Sequence, residues 1–307
     1  MNNTIKFSVD TQNSGKRLDV FLTENIENYT RSFLKKLIEN KQVKLNNNLL
    51  ISPSTKIKFR DLITVHIVQK NDLDIIPKKI KLDIVFEDKD ILVLNKPKGM
   101  VVHPGAGNYE DTLVNALLYK YKKNLSDTNG ELRPGIVHRL DKYTSGVMVA
   151  AKSQEAHHGL STLFAKHRIH RKYESLCWGV PSEMTGTIDA PLGRHFIDRK
   201  KQTIRENGRS AITHYRVIKL FPPFGCHIEC SLETGRTHQI RVHSQACGNP
   251  IIGDKKYGKH DGECSRLCLH AMRLSFVKDD VKYKFEAPIG EDLEAIWRQI
   301  DLGARLE

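Results

Sequence analysis

Apolar positions along the chain change their period several times. In GKRLDVFLTENI, residues 15–26, Leu18, Phe21 and Leu22 recur three and four residues apart, which predicts a helix with one apolar face. TRSFLKKLIEN follows, with Thr30 placed to cap a second helix and Phe33, Leu34, Leu37 and Ile38 on one side of it. Arg31, Lys35 and Lys36 fall on its other faces. QVKLNNNLLI then reads as strand, Asn-rich turn, strand. A charged connector carrying Pro77 marks a domain boundary. Beyond it, LDIVFEDKDILVLNKPKGMVVHP reads as strand, turn, strand, break, strand. EDTLVNALLYKYKK has the spacing of an amphipathic helix, with Asp111 near its cap. After residue 146 strands dominate, with helices expected around Glu155–Lys166, Thr237–Ala246 and Leu293–Gln299. Strands and helices mix without a regular βαβ alternation, so the expected class is α+β.

Composition narrows the function. The chain has 307 residues, 39% of them hydrophobic, enough for one large domain and a small one. Lys and Arg number 49 against 36 acidic residues, a net charge of +13 that favours polyanions, nucleic acid first. No stretch approaches the roughly 20 apolar residues of a membrane span, and MNNTIKFSVD lacks a signal-peptide core. A cytoplasmic protein with reduced thiols is expected. Among the six cysteines two pairs share a spacing, Cys226 with Cys230 and Cys264 with Cys268, but zinc spacings are usually tighter or include His. Cys226 and Cys230 alternate as in a strand and read as small core residues, so no metal is expected.

The stretch GIVHRLDKYTSG, residues 135–146, mixes apolar and charged positions in a way that suits neither a buried strand nor a free loop. If it is extended, Ile136, His138 and Leu140 lie on one side and Val137, Arg139 and Asp141 on the other. SGVMVAAKS resumes as a buried strand, so Asp141 sits at a strand–loop junction, as a turn-former or as a catalytic carboxylate. ETGRTHQIRVH packs Arg236, His238, Arg241 and His243 around Ile240. Arg241 is suited to pair with a buried carboxylate, hold it ionised and aim it. Tyr173 lies in a strand-like run, where its ring could stack on a flat base.

GIVHRLDKYTSGVMVAAK, ETGRTHQIRVHSQACGNPIIGDKKYG and LDIVFEDKDILVLNKPKGMVVHPGAGN together closely resemble the RluA-type branch of the ribosomal large-subunit pseudouridine synthases. RLDVFL, TRSFLKKLI and KQVKLNN resemble the S4-like RNA-binding module. The resemblance implies an N-terminal arm over residues 1–15, an S4-like domain over 16–66, a linker over 67–82 and a catalytic domain with a mixed, antiparallel-rich sheet over 83–307. It implies isomerisation of uridine in large-subunit ribosomal RNA by a monomer, without cofactor. Asp141 would be the catalytic carboxylate and Arg241 its ion-pair partner. Tyr173 would stack on the uracil, and Arg139 would fill the gap left by the extruded nucleotide. His138, Lys142, Arg236 and His238 would contact RNA at the site. Arg17, Arg31, Lys35, Lys36 and Lys41 would contact phosphates from the first domain. Tyr143 departs from the family, which usually has an acidic residue there.

Three alternatives remain open at this point. The same chemistry could act on transfer RNA. The chain could be a non-catalytic RNA-binding assembly protein. A metal-free RNA hydrolase could draw on His138, His238 and His243, although five-residue spacing keeps the last two off a shared helix face.

Overall fold

The computed structural model describes residues 2–26, 31–49, 52–68, 75–105, 108–122, 125–126, 133–258 and 264–301. The chain divides into two compact units, residues 1–74 and 75–307.

The first unit contains β1 (Asn2–Ser8), α1 (Leu18–Asn25), α2 (Arg31–Glu39), β2 (Val43–Leu45), β3 (Asn48–Leu49) and β4 (Leu62–Val68). Its sheet runs β1-β4-β2-β3, antiparallel throughout. Leu18, Phe21 and Leu22 of α1 and Leu34, Leu37 and Ile38 of α2 are buried together against Val43, Ile63 and Val65. The expectation of an N-terminal arm is corrected by β1. Ile5, Phe7 and Val9 alternate onto this core, and the period of two makes residues 2–8 a sheet strand paired along the whole of β4. Thr30 and the side chains of Phe33 and Lys36 lie outside the described residues.

The second unit is built on a nine-stranded sheet. Its elements are β5 (Asp83–Glu87), β6 (Ile91–Lys96), α3 (Leu113–Tyr121), β7 (Ser145–Ala151), α4 (Gln154–Ala165), β8 (His170–Trp178) and β9 (Thr185–Asp189). A short hairpin, β10 (Leu192–Arg194) and β11 (Gln202–Ile204), stands apart from the main sheet. Next come β12 (Ile212–Phe221), β13 (Gly225–Leu232), α5 (Gln239–Ala246), β14 (Leu269–Lys278), β15 (Val281–Glu286) and α6 (Glu291–Asp301). The strand order is β5-β6-β7-β14-β8-β13-β12-β9, with β15 also on β14. Neighbours are antiparallel except β7 and β14.

Sequence accounts for most of these elements. SGVMVAA of β7 is buried at every position, as a strand covered on both faces requires. The α3 helix is capped by Thr112, next to Asp111: Thr112 Oγ1 accepts from Asn115 N, and Asn115 Oδ1 accepts from Thr112 N. Cys226 and Cys230 are buried on β13, and burial pushes the Cys230 thiol up to about 12. The pairing of β7 with β14 is short and tight, His270 with Ser145 and Ala271 with Gly146. Gly146 has φ +118°, and a Cβ there would fall inside the Ala271 backbone, so only glycine permits the pairing.

That pairing places the site. Ala271 of β14 faces Gly146 of β7 on one side and Tyr173 of β8 on the other. The segment that follows Asp141 and the strand carrying Tyr173 therefore lie two strand spacings apart, about 10 Å.

Candidate active site

A cavity of about 440 Å³ opens at the centre of this sheet, within the usual range for small-ligand pockets. Asp141, Tyr173 and Arg241 all line it, with Arg139, His138, Arg236 and His238. Residues 135–141 form an irregular segment anchored by a bridge from Ile136 to Ala150. Ile136 and Leu140 are buried, Arg139 is exposed, and Asp141 sits between these extremes. Apolar residues thus hold the segment down while the charged ones reach the cavity.

Arg241 joins two carboxylates. Its Nη1 donates to Asp141 Oδ2 at 3.1 Å, while Nε and Nη2 donate to Asp254 at 2.7 and 2.8 Å. Asp254 is fully buried and also accepts from the backbone N–H groups of Lys256 and Tyr257 at 2.9 and 3.2 Å. Burial alone would raise the Asp254 pKa, but Arg241 and those N–H groups hold it below its ordinary value. Burial alone would lower the Arg241 pKa, yet Asp254 and then Asp141 raise it above its already high value. A guanidinium suits this post because its planar fork can serve two carboxylates and it does not deprotonate. Asp141 itself lines the cavity.

His238 also stands near Asp141, its Nε2 3.8 Å from Oδ2. It is the N-cap of α5 and sits in the left-handed region at φ +59°, a conformation that a non-glycine residue holds only when its surroundings enforce it. The enforcement is visible in Gln239. Its Oε1 accepts from Thr234 Oγ1 and Arg236 N, and its Nε2 donates to Ile212 O and Thr213 Oγ1. Burial lowers the His238 pKa to about 4, so the ring is neutral at neutral pH. Tyr257 Oη accepts from Gln202 N at 2.7 Å and lies 2.7 Å from His238 Nδ1.

Tyr173 is buried, and burial raises its pKa, so it stays a phenol. Two expected residues behave differently. His138 lines the cavity, but its Nε2 accepts from Val149 N at 3.0 Å and its ring stacks on Phe164. Burial lowers its pKa to about 3, so it is a neutral packing element and not an RNA cation. Lys142 lies outside the cavity, with Nζ donating to Asn108 Oδ1 at 3.1 Å. The departure at Tyr143 is also remote: the residue is exposed and does not line the cavity. His243 is buried with both nitrogens engaged, on Thr213 Oγ1 and Ala190 O, which removes it from any hydrolase arrangement.

In the first unit, Arg17 and Arg31 both hold the buried Asp19, at 2.9 and 2.8 Å. The hydrogen bond from Arg17 leads the effects that bring the Asp19 pKa down to about 2. These arginines stitch α1 to α2 as well as facing solvent. Lys35 pairs with Glu39 at 3.8 Å, and Lys41 turns the chain at φ +60°.

The chain is similar to known proteins. Residues 90–246 match the family model described as RNA pseudouridylate synthase. A ribosomal large subunit pseudouridine synthase D of Zymomonas mobilis is 42% identical, covering 95% of this chain and 96% of that protein. The chain belongs to the RNA pseudouridylate synthase family. An uncharacterized RNA pseudouridine synthase of Bacillus subtilis is 40% identical, covering 95% of this synthase and 96% of that one. Among solved structures, human RNA pseudouridylate synthase domain containing 1 superposes with a TM-score of 0.57 at 24% identity, covering 74% of the synthase and 97% of that chain, which shows the shared fold.

Three residues of the synthase's site escape a reading of the sequence. Asp254 and Tyr257 belong to GDKKYG, a string with ordinary turn composition whose partners are 13 and 19 residues away. Lys96 is fully buried, and its Nζ donates to the carbonyls of Pro97, Met100 and Lys142 at 2.8, 3.0 and 3.3 Å. It ties the end of β6 to the residue after Asp141. Burial lowers its pKa to about 7, while Asp141 opposes that shift. The nearest signal is the Lys-Pro at the end of an apolar run, where a lysine would be expected to reach solvent.

Proposed function

We propose that the enzyme converts uridine to pseudouridine in large-subunit ribosomal RNA, with Asp141 as its catalytic carboxylate. The observation that carries this is the Asp141–Arg241–Asp254 bridge, whose Asp141 lines a cavity of about 440 Å³ together with Tyr173. The names of the relatives, ribosomal large subunit pseudouridine synthase D in Zymomonas mobilis and in Buchnera aphidicola, support the substrate.

The chemistry asks for these groups. Uracil must leave C1′, turn, and rejoin through C5. It cannot turn within a helix, so it is extruded at a cost of about a few kcal/mol. Arg139, exposed at the cavity rim, is placed to fill the vacated stack and offset part of that cost. The Tyr173 ring forms a wall against which the loose base can rest. Asp141 acts as nucleophile on C1′ or as base at C2′, and either role requires the carboxylate to be aimed, which the doubly held Arg241 provides. His238, a neutral ring whose Nε2 lies 3.8 Å from the same oxygen, adds a polar neighbour to Asp141. The C5 proton is released when the new bond forms.

The first unit, read as an S4-like module with boundaries near 16–66, contributes phosphate contacts through Lys35, Lys41 and the outer faces of Arg17 and Arg31. The synthase works in the cytoplasm as a monomer. Among the described residues no helix is long and apolar enough to cross a membrane.

The test is carbodiimide mapping of pseudouridine on unmodified large-subunit rRNA after incubation with wild-type or Asp141→Asn protein. Stops produced by the wild type alone support the assignment and locate the uridines. Equal stops with Asp141→Asn overturn Asp141. Stops only on transfer RNA overturn the substrate, and tight RNA binding with no stops on either RNA overturns the activity.

A further inference from the structure

The hairpin of β10 and β11 has no role in the cavity chemistry, yet it carries an unusual surface. Its strands pair over three residues, Leu192 to Ile204 through Arg194 to Gln202. At its tip Phe196 and Ile197 are 76% and 90% exposed, the two most exposed large apolar side chains described. Residues 194–209 hold six cations, Arg194, Arg199, Lys200, Lys201, Arg205 and Arg209, against Asp198 and Glu206. None of the six pairs with a carboxylate among the described residues. Asp198 serves the turn instead, where its Oδ1 accepts from Lys200 N at 2.9 Å.

The aromatic ring at the tip is backed by a cation. Arg205 Cζ lies 4.1 Å from the Phe196 ring centroid, and its Nη1 donates to Arg194 O at 3.2 Å, which fixes the guanidinium in place. One face of Phe196 is therefore covered by Arg205 and the other faces water. Leaving the other face of this apolar ring exposed beside unpaired cations costs solvation. The combination matches what a single-stranded polyanion with flat bases requires: cations for the phosphates and a π-face for a base.

The base of the hairpin is rigid and reaches the site. Leu192 packs with Ala211, Val242 and Tyr257 in a small core of their own. Gln202 N donates to Tyr257 Oη, which bonds His238 Nδ1, and Lys256 Nζ donates to Lys200 O at 3.1 Å. The tip residues do not line the cavity.

We infer that this hairpin is a second RNA contact, in which an unpaired base flanking the target uridine stacks on the free face of Phe196 while Arg199, Lys200 and Lys201 hold the adjoining phosphates. This rests on the reading of the enzyme as acting on RNA. It assigns the hairpin to affinity and to the choice of flanking structure, without sequence readout.

Binding and activity measured in the same samples test it. Full-length Phe196→Ala protein and the Arg199→Gln, Lys200→Gln, Lys201→Gln triple variant are titrated against unmodified large-subunit rRNA at several salt concentrations. Thermal melting checks that both fold. Phe196→Ala should weaken binding by about tenfold to a hundredfold. The triple variant should make the dependence of log affinity on log salt shallower by about 2, near 0.7 for each single-strand phosphate no longer held. Wild-type affinity and slope in both variants overturn the hairpin assignment and leave the activity standing. Normal binding of naked RNA with weakened binding of assembled large subunits shows a protein contact and also overturns it. Loss of RNA binding in the variants, beside a wild type that binds but makes no pseudouridine, supports the hairpin and overturns the activity.

Discussion

Asp141 and Asp254 share one arginine, and replacing each by Asn should separate catalysis from stability. The Asp254 side chain is wholly buried and holds Arg241 through bonds of 2.7 and 2.8 Å, with two backbone N–H groups on the same carboxylate. Removing one partner of a buried ion pair costs about 3–5 kcal/mol, because the remaining charge stays buried and uncompensated. For a folding unit of this size each kcal/mol lowers the melting temperature by about 2–4 °C, so Asp254→Asn should lose about 6–20 °C. Asp141 is 16% exposed and makes a single bond of 3.1 Å to Arg241, which keeps Asp254 when Asp141 is neutralised. Asp141→Asn should therefore cost about 1–2 kcal/mol, or about 2–8 °C. Activity should show the reverse order. Release of tritium from RNA carrying [5-³H]uridine reports each C5 proton displaced. Asp141→Asn should release none above background, while Asp254→Asn, measured below its melting point, should retain a rate lowered by about a hundredfold through a misaimed Asp141. The reasoning is refuted if Asp254→Asn melts within about 2 °C of wild type and turns over normally. It is equally refuted if Asp141→Asn is the less stable of the two.

Further outcomes follow from the same contacts. Arg241→Lys keeps the charge but loses the fork that serves two carboxylates, and should fold yet lose about a hundredfold in tritium release; a near-normal rate would show that point charge suffices. Burial holds His138 at about 3 and His103 and His238 at about 4, below the ordinary 6.5. Between pH 6.5 and 4 the unfolded chain binds protons on these rings that the folded chain does not. Stability therefore falls as pH drops through that window, by up to about 1.4 kcal/mol per pH unit for each ring, and chemical denaturation at pH 7 and 5 should show it. Equal stability at the two values would mean that the rings charge in place. Removing residues 1–74 should weaken RNA binding and flatten its salt dependence by about 0.7–0.9 for each phosphate that the first unit neutralises; an unchanged slope would take that unit out of RNA binding.

Local chemistry was legible in the chain wherever neighbours in sequence are also neighbours in space. The helix faces of α1 and α2, the buried run of β7, the strand of Tyr173 and the charged segment around Asp141 all follow from period and composition. Residue chemistry offered Asp141, Arg241 and Tyr173 as candidates beside plain structural readings, the resemblance to the pseudouridine synthases assigned their roles, and all three line the cavity. Short or irregular segments were harder. Residues 2–8 read as an arm because seven residues with one alternating face carry little signal until β4 is there to pair with them.

Tertiary structure alone decided which groups meet. Asp141 and Arg241 are 100 residues apart, and only the folded chain brings them to within 3.1 Å. Asp254 is indistinguishable from a turn aspartate until its buried carboxylate is seen beneath Arg241. His138 looked like an RNA contact beside Arg139, but the fold turned its Nε2 onto the Val149 N–H. Nothing in the sequence singles out Lys96, whose Nζ donates to three backbone carbonyls. Residue type and spacing state what a side chain can do. Burial and partner geometry, which depend on pairings between distant segments, select which of those capacities is used.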